Sequence, residues 1–400
     1  MHYHSLDNLR TTMMLMGLVL HAAGPYMEAA YLPDDPIANH PFFDMMFLFI
    51  HTFRMPAFFI MSGFFSALLV ERRGVVTFVK NRANRILIPF LIGYFTINIL
   101  IQAAYVYCFS NYTMAPVVKW FSTGTFLLPV ITPTVHLWFL YFLLIFYVGV
   151  YVAVRIKGLK ATLPGHTLSR WLVSGWAIPV WIAFSALFLW FMPGATFYTP
   201  SDLTPSPIIL AGLGMYFVFG WLLFQQPHWL TSIQRPAWWL LLGGLVVFVI
   251  YAIMMLQISH NTALPTTYRV DLSALSATST WLISFGLIGL FQRYLDQPSP
   301  LSRYLAQSSY WVYIIHLLIC TYVQIWLMPV AWTAFGKFAV GLAITFALSL
   351  ISYDLFVRDT VVGQVLNGRR ATPIWRMVLQ LRRSTADTPL FLTKVRQLFR

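Results

Sequence analysis

An apolar run from Leu9 to Ala30 constrains this chain most, because it is long enough to cross a bilayer as one helix. It nevertheless carries Arg10 near one end, His21 in the middle and Glu28 near the other end. Arg10 and His21 are about three helical turns apart, so they share a helix face with ~16 Å between them along the axis. Because polar groups at that depth cost free energy, the pair indicates a functional site. The alternative is an arginine that reaches the headgroups and a histidine that bonds a neighbouring helix.

The composition predicts an all-α polytopic membrane bundle, since 59% of the 400 residues are hydrophobic and only 10% are charged. A soluble domain has about a quarter of its residues charged. We predict a transmembrane domain over residues 1–357 and a basic cytoplasmic tail over 358–400. Ten spans are expected, with the first run as an uncleaved span, at 9–30, 42–70, 86–109, 136–154, 171–192, 207–226, 236–257, 272–292, 305–328 and 334–357.

The 26 lysines and arginines predict the orientation, because most of them lie in alternate connections and in the tail. The positive-inside bias places those connections and both termini in the cytoplasm, as in a bacterial inner-membrane protein. The net charge of +14 therefore reflects orientation and does not indicate nucleic-acid binding. The end of the tail, 389–400, is expected to lie as a helix on the inner leaflet or to bind a partner. Cys108 and Cys320 lack metal-ligand spacing and suggest no disulfide.

The second and third predicted spans carry further cations. His51 and Arg54 share one helix face, and the depth of Arg54 requires an interior partner, for which Glu28 and Asp44 are candidates, or a water-filled cavity. Bonding to helix carbonyls is the alternative. Arg82 and Arg85 open the third span at the cytoplasmic boundary, where guanidinium groups suit phosphate oxygens. Orientation in the membrane would by itself also place arginines there.

The fourth and ninth predicted spans supply aromatic and imidazole side chains. Tyr313 and His316 lie one turn apart near the expected depth of His21, and His136 with Trp138 opens the fourth span at the outer face. Each of these histidines is either a bonded structural group or part of a site, and the sequence leaves both readings open.

Taken together, these residues resemble the acyltransferase 3 family of bacterial integral-membrane O-acyltransferases. The likeness lies in Arg10 with His21, in the basic pair Arg82 and Arg85, in Ser62 to Phe65, in the His-Leu-Trp-Phe-Leu stretch from His136, and in His316. The members it most resembles add succinyl groups to periplasmic glucans, and share the stretches 7–10, 49–55 and 366–370. The family's usual second histidine after His316 is Leu317 here.

The resemblance implies that residues 1–357 form an acyltransferase domain with acyl-CoA as the donor, bound at Arg10, Arg82 and Arg85. Our hypothesis for the mechanism is that His21 acts as a general base, with Glu28 as its orienting group through help from another helix, and that His316 or Tyr313 polarises the thioester carbonyl. Arg54 would meet the succinyl carboxylate. His51, His136 and Trp138 complete the expected substrate-binding residues, without a metal or a permanently bound cofactor. Acetyl or acyl transfer to another envelope polysaccharide, a covalent acyl relay and a proton-coupled transporter remain alternatives.

Overall fold

A computed structural model of the chain describes residues 3–29, 34–35, 37–111, 134–156, 166–197, 199–200, 203–259, 266–297 and 299–367. The amphipathic end of the tail and most of its basic residues lie outside the described residues, as do Gly368 to Arg370 of the family-like stretch.

The described part of the chain is helical and contains no strand. Its helices, numbered in chain order, are α1 His4–Ala23, α2 Pro41–Arg82, α3 Ile88–Phe95, α4 Ile97–Asn111, α5 Trp138–Ile156, α6 His166–Leu172, α7 Ile178–Trp190, α8 Pro207–Phe224, α9 Pro227–Ser232, α10 Ala237–Ser259, α11 Thr266–Tyr294, α12 Pro300–Leu327, α13 Ala334–Phe356 and α14 Val361–Asn367. Every predicted span coincides with one or more of them, which confirms an all-α bundle.

Within the described residues, seven helical stretches are long and apolar enough to cross a membrane, and one of them runs from Pro41 to Tyr105 through α2, α3 and α4. The helix α1 is not among the seven, because its first half carries Asp7, Asn8 and Arg10. The chain is therefore a multi-pass membrane protein, while the count of ten spans stays a prediction.

Prolines change two of the predicted boundaries. The first span was expected to reach Ala30, but α1 ends at Ala23 and continues only as the short 3-10 turn Gly24–Tyr26. Pro25 has no N–H with which to extend the α-helical ladder. The predicted span 171–192 contains Pro179 in its interior, yet the helix α7 begins at Ile178, so that Pro179 lies in its first turn, where proline costs little because that N–H is unbonded anyway. Pro56, by contrast, lies inside α2.

The link between the second and third predicted spans is also helical. The non-helical φ of +74° at Gly74 divides α2 into a long buried part and a short, mostly exposed part that ends at Arg82. A π-helical turn, Ala83–Leu87, follows directly and contains Arg85. Such turns are rare and often occur at functional sites. The third span itself is interrupted at Thr96, between α3 and α4.

The helix α1 lies inside the bundle and packs against α2, α11, α12 and α13. Its buried side chains include Leu9, Met13 and Leu20. The adjacent pair α2 and α8 approach closely at reciprocal glycines, since a Cβ at Gly63 would overlap the carbonyl of Phe217 and one at Gly220 that of Ile60. Small residues allow such backbone contact between membrane helices. These contacts place α1 among four other helices.

Candidate active site

Three histidines from three helices meet in the interior of the bundle. The ring of His21 on α1 lies 5.3 Å, between centroids, from that of His316 on α12. The ring of His136, in the 3-10 turn before α5, lies 5.4 Å from His316 on another side. His316 is 1% exposed and His136 4%, while His21 is only partly buried. We call His21, His136 and His316 the histidine cluster; His21 is its most accessible member.

Backbone carbonyls determine the tautomers of two of these rings. The Nδ1 of His316 lies 2.7 Å from the carbonyl oxygen of Tyr313 and 3.1 Å from that of Val312, so Nδ1 carries the proton and donates it. The lone pair then lies on Nε2, which is buried without a hydrogen-bond partner among the described residues. His136 donates from Nε2 to the carbonyl of Ile314 at 3.0 Å, which leaves its lone pair on Nδ1. The cluster thus contains buried imidazole nitrogens able to accept protons.

Two further side chains hold this arrangement together. Tyr313, on α12, donates its hydroxyl to the carbonyl of His136 at 2.6 Å and fixes the start of α5 against α12. Gln324 donates its amide to the carbonyls of His21 and Ala22 at 3.1 Å each. These bonds satisfy acceptors at the end of α1, where the helix leaves its last carbonyls unbonded.

The guanidinium of Arg54 lies beside the histidine cluster. A Cβ added at Gly17 would overlap Nη1 of Arg54, so the cation packs directly on the α1 backbone, one turn before His21. Arg54 is 9% exposed and interacts electrostatically with His21, His316 and Tyr313. The interior position predicted for Arg54 is confirmed. Of its two proposed partners, Asp44 instead accepts the backbone N–H groups of Glu28 and Ala29.

The other predicted substrate residues have different surroundings. His51, one turn from Arg54 on α2, contacts the carbonyl oxygen of Phe197 through Nε2 at 2.6 Å, and its Nδ1 has no partner in the described part of the chain. Trp138 is 6% exposed and packs edge-on against Phe142, as a core residue does. Of these two residues, it is therefore His51 that contacts a loop, at Phe197, on the predicted outer side of the membrane.

Glu28 does not orient His21 in this structure. It was expected two turns beyond His21 on the same helix, but α1 has ended before it, and Glu28 lies exposed in a bend. Its backbone N–H is bonded to Asp44 at 2.9 Å. The neighbour of His21 is instead His316, which comes from a distant part of the sequence.

The predicted cofactor-binding arginines come together at the opposite end of α1 from His21. Arg85 interacts electrostatically with Arg82, Arg10 and Arg73, and we call these four the arginine cluster. Arg10 pairs with Asp7 at 3.0 Å and lies over the ring of Phe65. Four guanidinium groups in one region favour an anion that carries several charges.

Two tyrosines that the sequence analysis did not single out lie between the two clusters. Tyr147 on α5 stacks under the guanidinium of Arg82, 4.9 Å from ring centroid to Cζ. Tyr310 on α12 stacks on Tyr313 with centroids 6.4 Å apart. The signal available in the sequence was the spacing of Tyr310, Tyr313 and His316, at three-residue intervals on one helix.

The chain is similar to known proteins over most of its length. A family model described as an acyltransferase domain, acyltransferase 3, matches residues 3–354. Proteins named glucans biosynthesis protein C, from Salmonella agona (strain SL483) and Salmonella enteritidis PT4 (strain P125109), are each 22% identical to this chain over 386 residues, which cover 91% of this chain and 94% of the relative. No solved structure matches the chain.

Proposed function

This chain belongs to the acyltransferase 3 family, and from that membership we propose that it moves a succinyl group from cytoplasmic acyl-CoA to a hydroxyl of a periplasmic glucan. The names of its relatives support a glucan as the acceptor. The observation that carries the proposal is the arrangement along α1, with the arginine cluster at one end and His21 beside His316 at the other.

The arginine cluster is the proposed site for the phosphates of acyl-CoA. Arg10 and Arg85 are partly exposed and belong to different helical segments, so they can approach a diphosphate from two sides. The rise from Arg10 to His21 is ~16 Å, which leaves room for the thioester-bearing arm to extend along α1 toward the histidine cluster. The acyl carbon would then lie beside His21.

His21 is the proposed general base, because it is the accessible member of the histidine cluster and a neutral imidazole nitrogen can accept the proton of a hydroxyl. It takes the proton of the sugar hydroxyl while the oxygen attacks the thioester carbonyl carbon. The tetrahedral intermediate then breaks its C–S bond. His21 returns the proton to the departing thiolate, so the products are the glucan ester and free coenzyme A.

His316 replaces Glu28 as the proposed orienting group of His21. Its bonded Nδ1 leaves Nε2 as an acceptor that can hold an N–H of His21, just as a third group positions the base in a catalytic triad. This tautomer makes His316 an acceptor and not the donor first expected for the thioester carbonyl. Tyr313 likewise donates its hydroxyl hydrogen bond to the backbone carbonyl of His136 and serves to position the cluster.

Arg54 supplies the positive charge of the proposed site. Beside Gly17 and within electrostatic reach of His21, its guanidinium can bind the distal carboxylate of a succinyl donor, because a buried guanidinium favours a carboxylate partner. His51 lies one turn nearer the predicted outer face and is the proposed contact for the incoming sugar, whereas His136 and Trp138 shape the wall of the site.

The test is to express His21→Ala and Arg10→Ala variants in a glucan-producing host that lacks the wild-type protein. The succinyl content of periplasmic glucan is then measured by mass spectrometry. We expect it to disappear with His21→Ala and to fall strongly with Arg10→Ala. Wild-type succinylation in the His21→Ala strain would remove the proposed base. Glucan or anion uptake by proteoliposomes without acyl-CoA would support a transporter instead.

A further inference from the structure

Tyr310 presents an unusual hydroxyl in the middle of the bundle. It precedes His316 by six residues on α12, which places it ~9 Å nearer the arginine end along the axis. Its Oη is buried and has no hydrogen-bond partner among the described residues. Its ring lies nearly parallel to that of Tyr313, with an interplanar angle of 4°. A buried hydroxyl left without a hydrogen bond destabilises the protein, so a partner is expected.

The Nε–H of Arg82 is a second buried group without a hydrogen bond to any residue that the structure describes, and Arg82 is within electrostatic reach of Tyr310. Its guanidinium lies between the rings of Tyr147, at 4.9 Å, and Phe78, at 5.4 Å. Its Nε is buried and makes no hydrogen bond within the described part of the chain. Arg82 interacts electrostatically with both Tyr147 and Tyr310, so the two unsatisfied groups belong to one region.

This region lies between the two ends of the proposed active site. The rings of Tyr310, Tyr313 and His316 are in successive contact along α12, and His316 contacts His21. Tyr147 follows His136 by eleven residues, a rise of ~16 Å along α5, and it interacts electrostatically with Arg10. A row of interacting polar and aromatic side chains, which includes Arg82 and Tyr310, therefore extends from the arginine cluster to the histidine cluster.

We propose that Arg82 Nε–H and the Tyr310 hydroxyl bind the amide groups of the pantetheine arm of the donor thioester. An amide carbonyl accepts from Arg82, and an amide N–H donates to the tyrosine oxygen, so one ligand class satisfies both groups. The inference rests on the proposed function, since it assumes a coenzyme A thioester. Within the arginine cluster, the Nε–H of Arg82 thus serves the donor arm together with Tyr310, and the phosphates are left to Arg10, Arg73 and Arg85.

Three donors test this assignment with the full-length protein in proteoliposomes. The first is succinyl-CoA. The second is succinyl-pantetheine, which keeps the amides but lacks the nucleotide phosphates. The third is the S-ethyl thioester of succinate, which lacks both the phosphates and the amides. For Tyr310→Phe we expect KM to rise about three- to tenfold with the first two donors, with kcat unchanged, and no change with the third. Arg85→Ala should raise KM only for succinyl-CoA. Tyr322→Phe is the matched control, because Tyr322 lies on the same helix but is 47% exposed, and this variant should behave as wild type.

Direct binding separates failure of this inference from failure of the proposed function. The dissociation constant of a thioether analogue of succinyl-CoA is measured in detergent by equilibrium dialysis. If the wild-type protein does not bind the analogue, the proposed function fails and the inference with it. If the wild type binds and Tyr310→Phe binds equally well, only the inference fails. Weaker binding by Tyr310→Phe, with unchanged binding by Tyr322→Phe, supports it.

Discussion

The guanidinium of Arg54 packs against the backbone of Gly17, so that a single methyl group at Gly17 would overlap its Nη1. Gly17 precedes His21 by one turn of α1, and Arg54 interacts electrostatically with His21. The missing side chain of a glycine thus determines where the buried cation lies relative to the proposed base.

Gly17→Ala is expected to displace the end of the Arg54 side chain without unfolding α1, because alanine favours helix more than glycine does. Small misplacements of a positioned group can lower rates by up to about a hundredfold, and we expect a loss in kcat/KM of roughly ten- to a hundredfold. The rate of acyl transfer by the protein in proteoliposomes measures this loss in kcat/KM. Gly149→Ala is the control, because a Cβ there meets nothing within 4 Å. Equal activity of the two variants would show that the position of Arg54 is unimportant.

Substitutions of His316 distinguish an acceptor from a donor. The oxygen of glutamine can replace the Nε2 lone pair, whereas asparagine replaces mainly the bonded Nδ1 side of the ring. We expect His316→Gln to retain more transfer activity than His316→Asn, and His316→Ala to lose about a hundredfold or more. Each variant's thermal unfolding midpoint in detergent controls for folding. Higher activity of the asparagine variant would contradict the proposed tautomer.

Glu28→Gln is expected to leave acyl transfer unchanged, because the carboxylate is exposed beyond the end of α1. Asp44→Ala should instead lower the free energy of unfolding by about 1 kcal/mol, since it removes the acceptor of the Glu28 and Ala29 backbone N–H groups. Activity assays and thermal unfolding check the two expectations separately. A large loss of kcat in Glu28→Gln would restore its predicted role as the orienting group.

A buried ion pair joins the loop after α1 to the start of α13. Lys337 Nζ lies 2.7 Å from Asp35 Oδ2, and both side chains are at most 1% exposed. Lys337→Met leaves the Asp35 carboxylate buried and should destabilise the protein by about 3–5 kcal/mol. The double variant Asp35→Leu with Lys337→Met should recover much of that loss. The thermal unfolding midpoints of the two variants test this expected recovery. A double variant that is no more stable than Lys337→Met would contradict it.

The sequence was informative about the helices because lipid forces every backbone polar group to be satisfied within its own segment. Apolar length alone therefore predicted where helices form, and all ten predicted spans coincide with them. The helical period also placed Arg10 and His21 on a common face of α1. The breaks at Gly74 and Thr96 and the π-helical turn near Arg85 were not predicted, since hydropathy contains no signal for them.

The partners within the site were less predictable, because they depend on contacts between distant segments. Glu28 was expected two turns beyond His21 on one continuous helix, but α1 ends at Ala23 and only the turn Gly24–Tyr26 follows it. Nothing in the sequence indicated that Gly17 makes room for Arg54, or that Arg82 and Tyr310 would lie together.

By itself, the sequence determined that this chain forms membrane helices and that α1 carries a cation and an imidazole in line, because both follow from residue type and from the helical repeat. Only the tertiary structure decided that His316 and Arg54, and not Glu28, surround His21. The physical reason is that side-chain neighbours in a bundle are set by how α1, α2 and α12 pack, and the burial of each polar group depends on all of them.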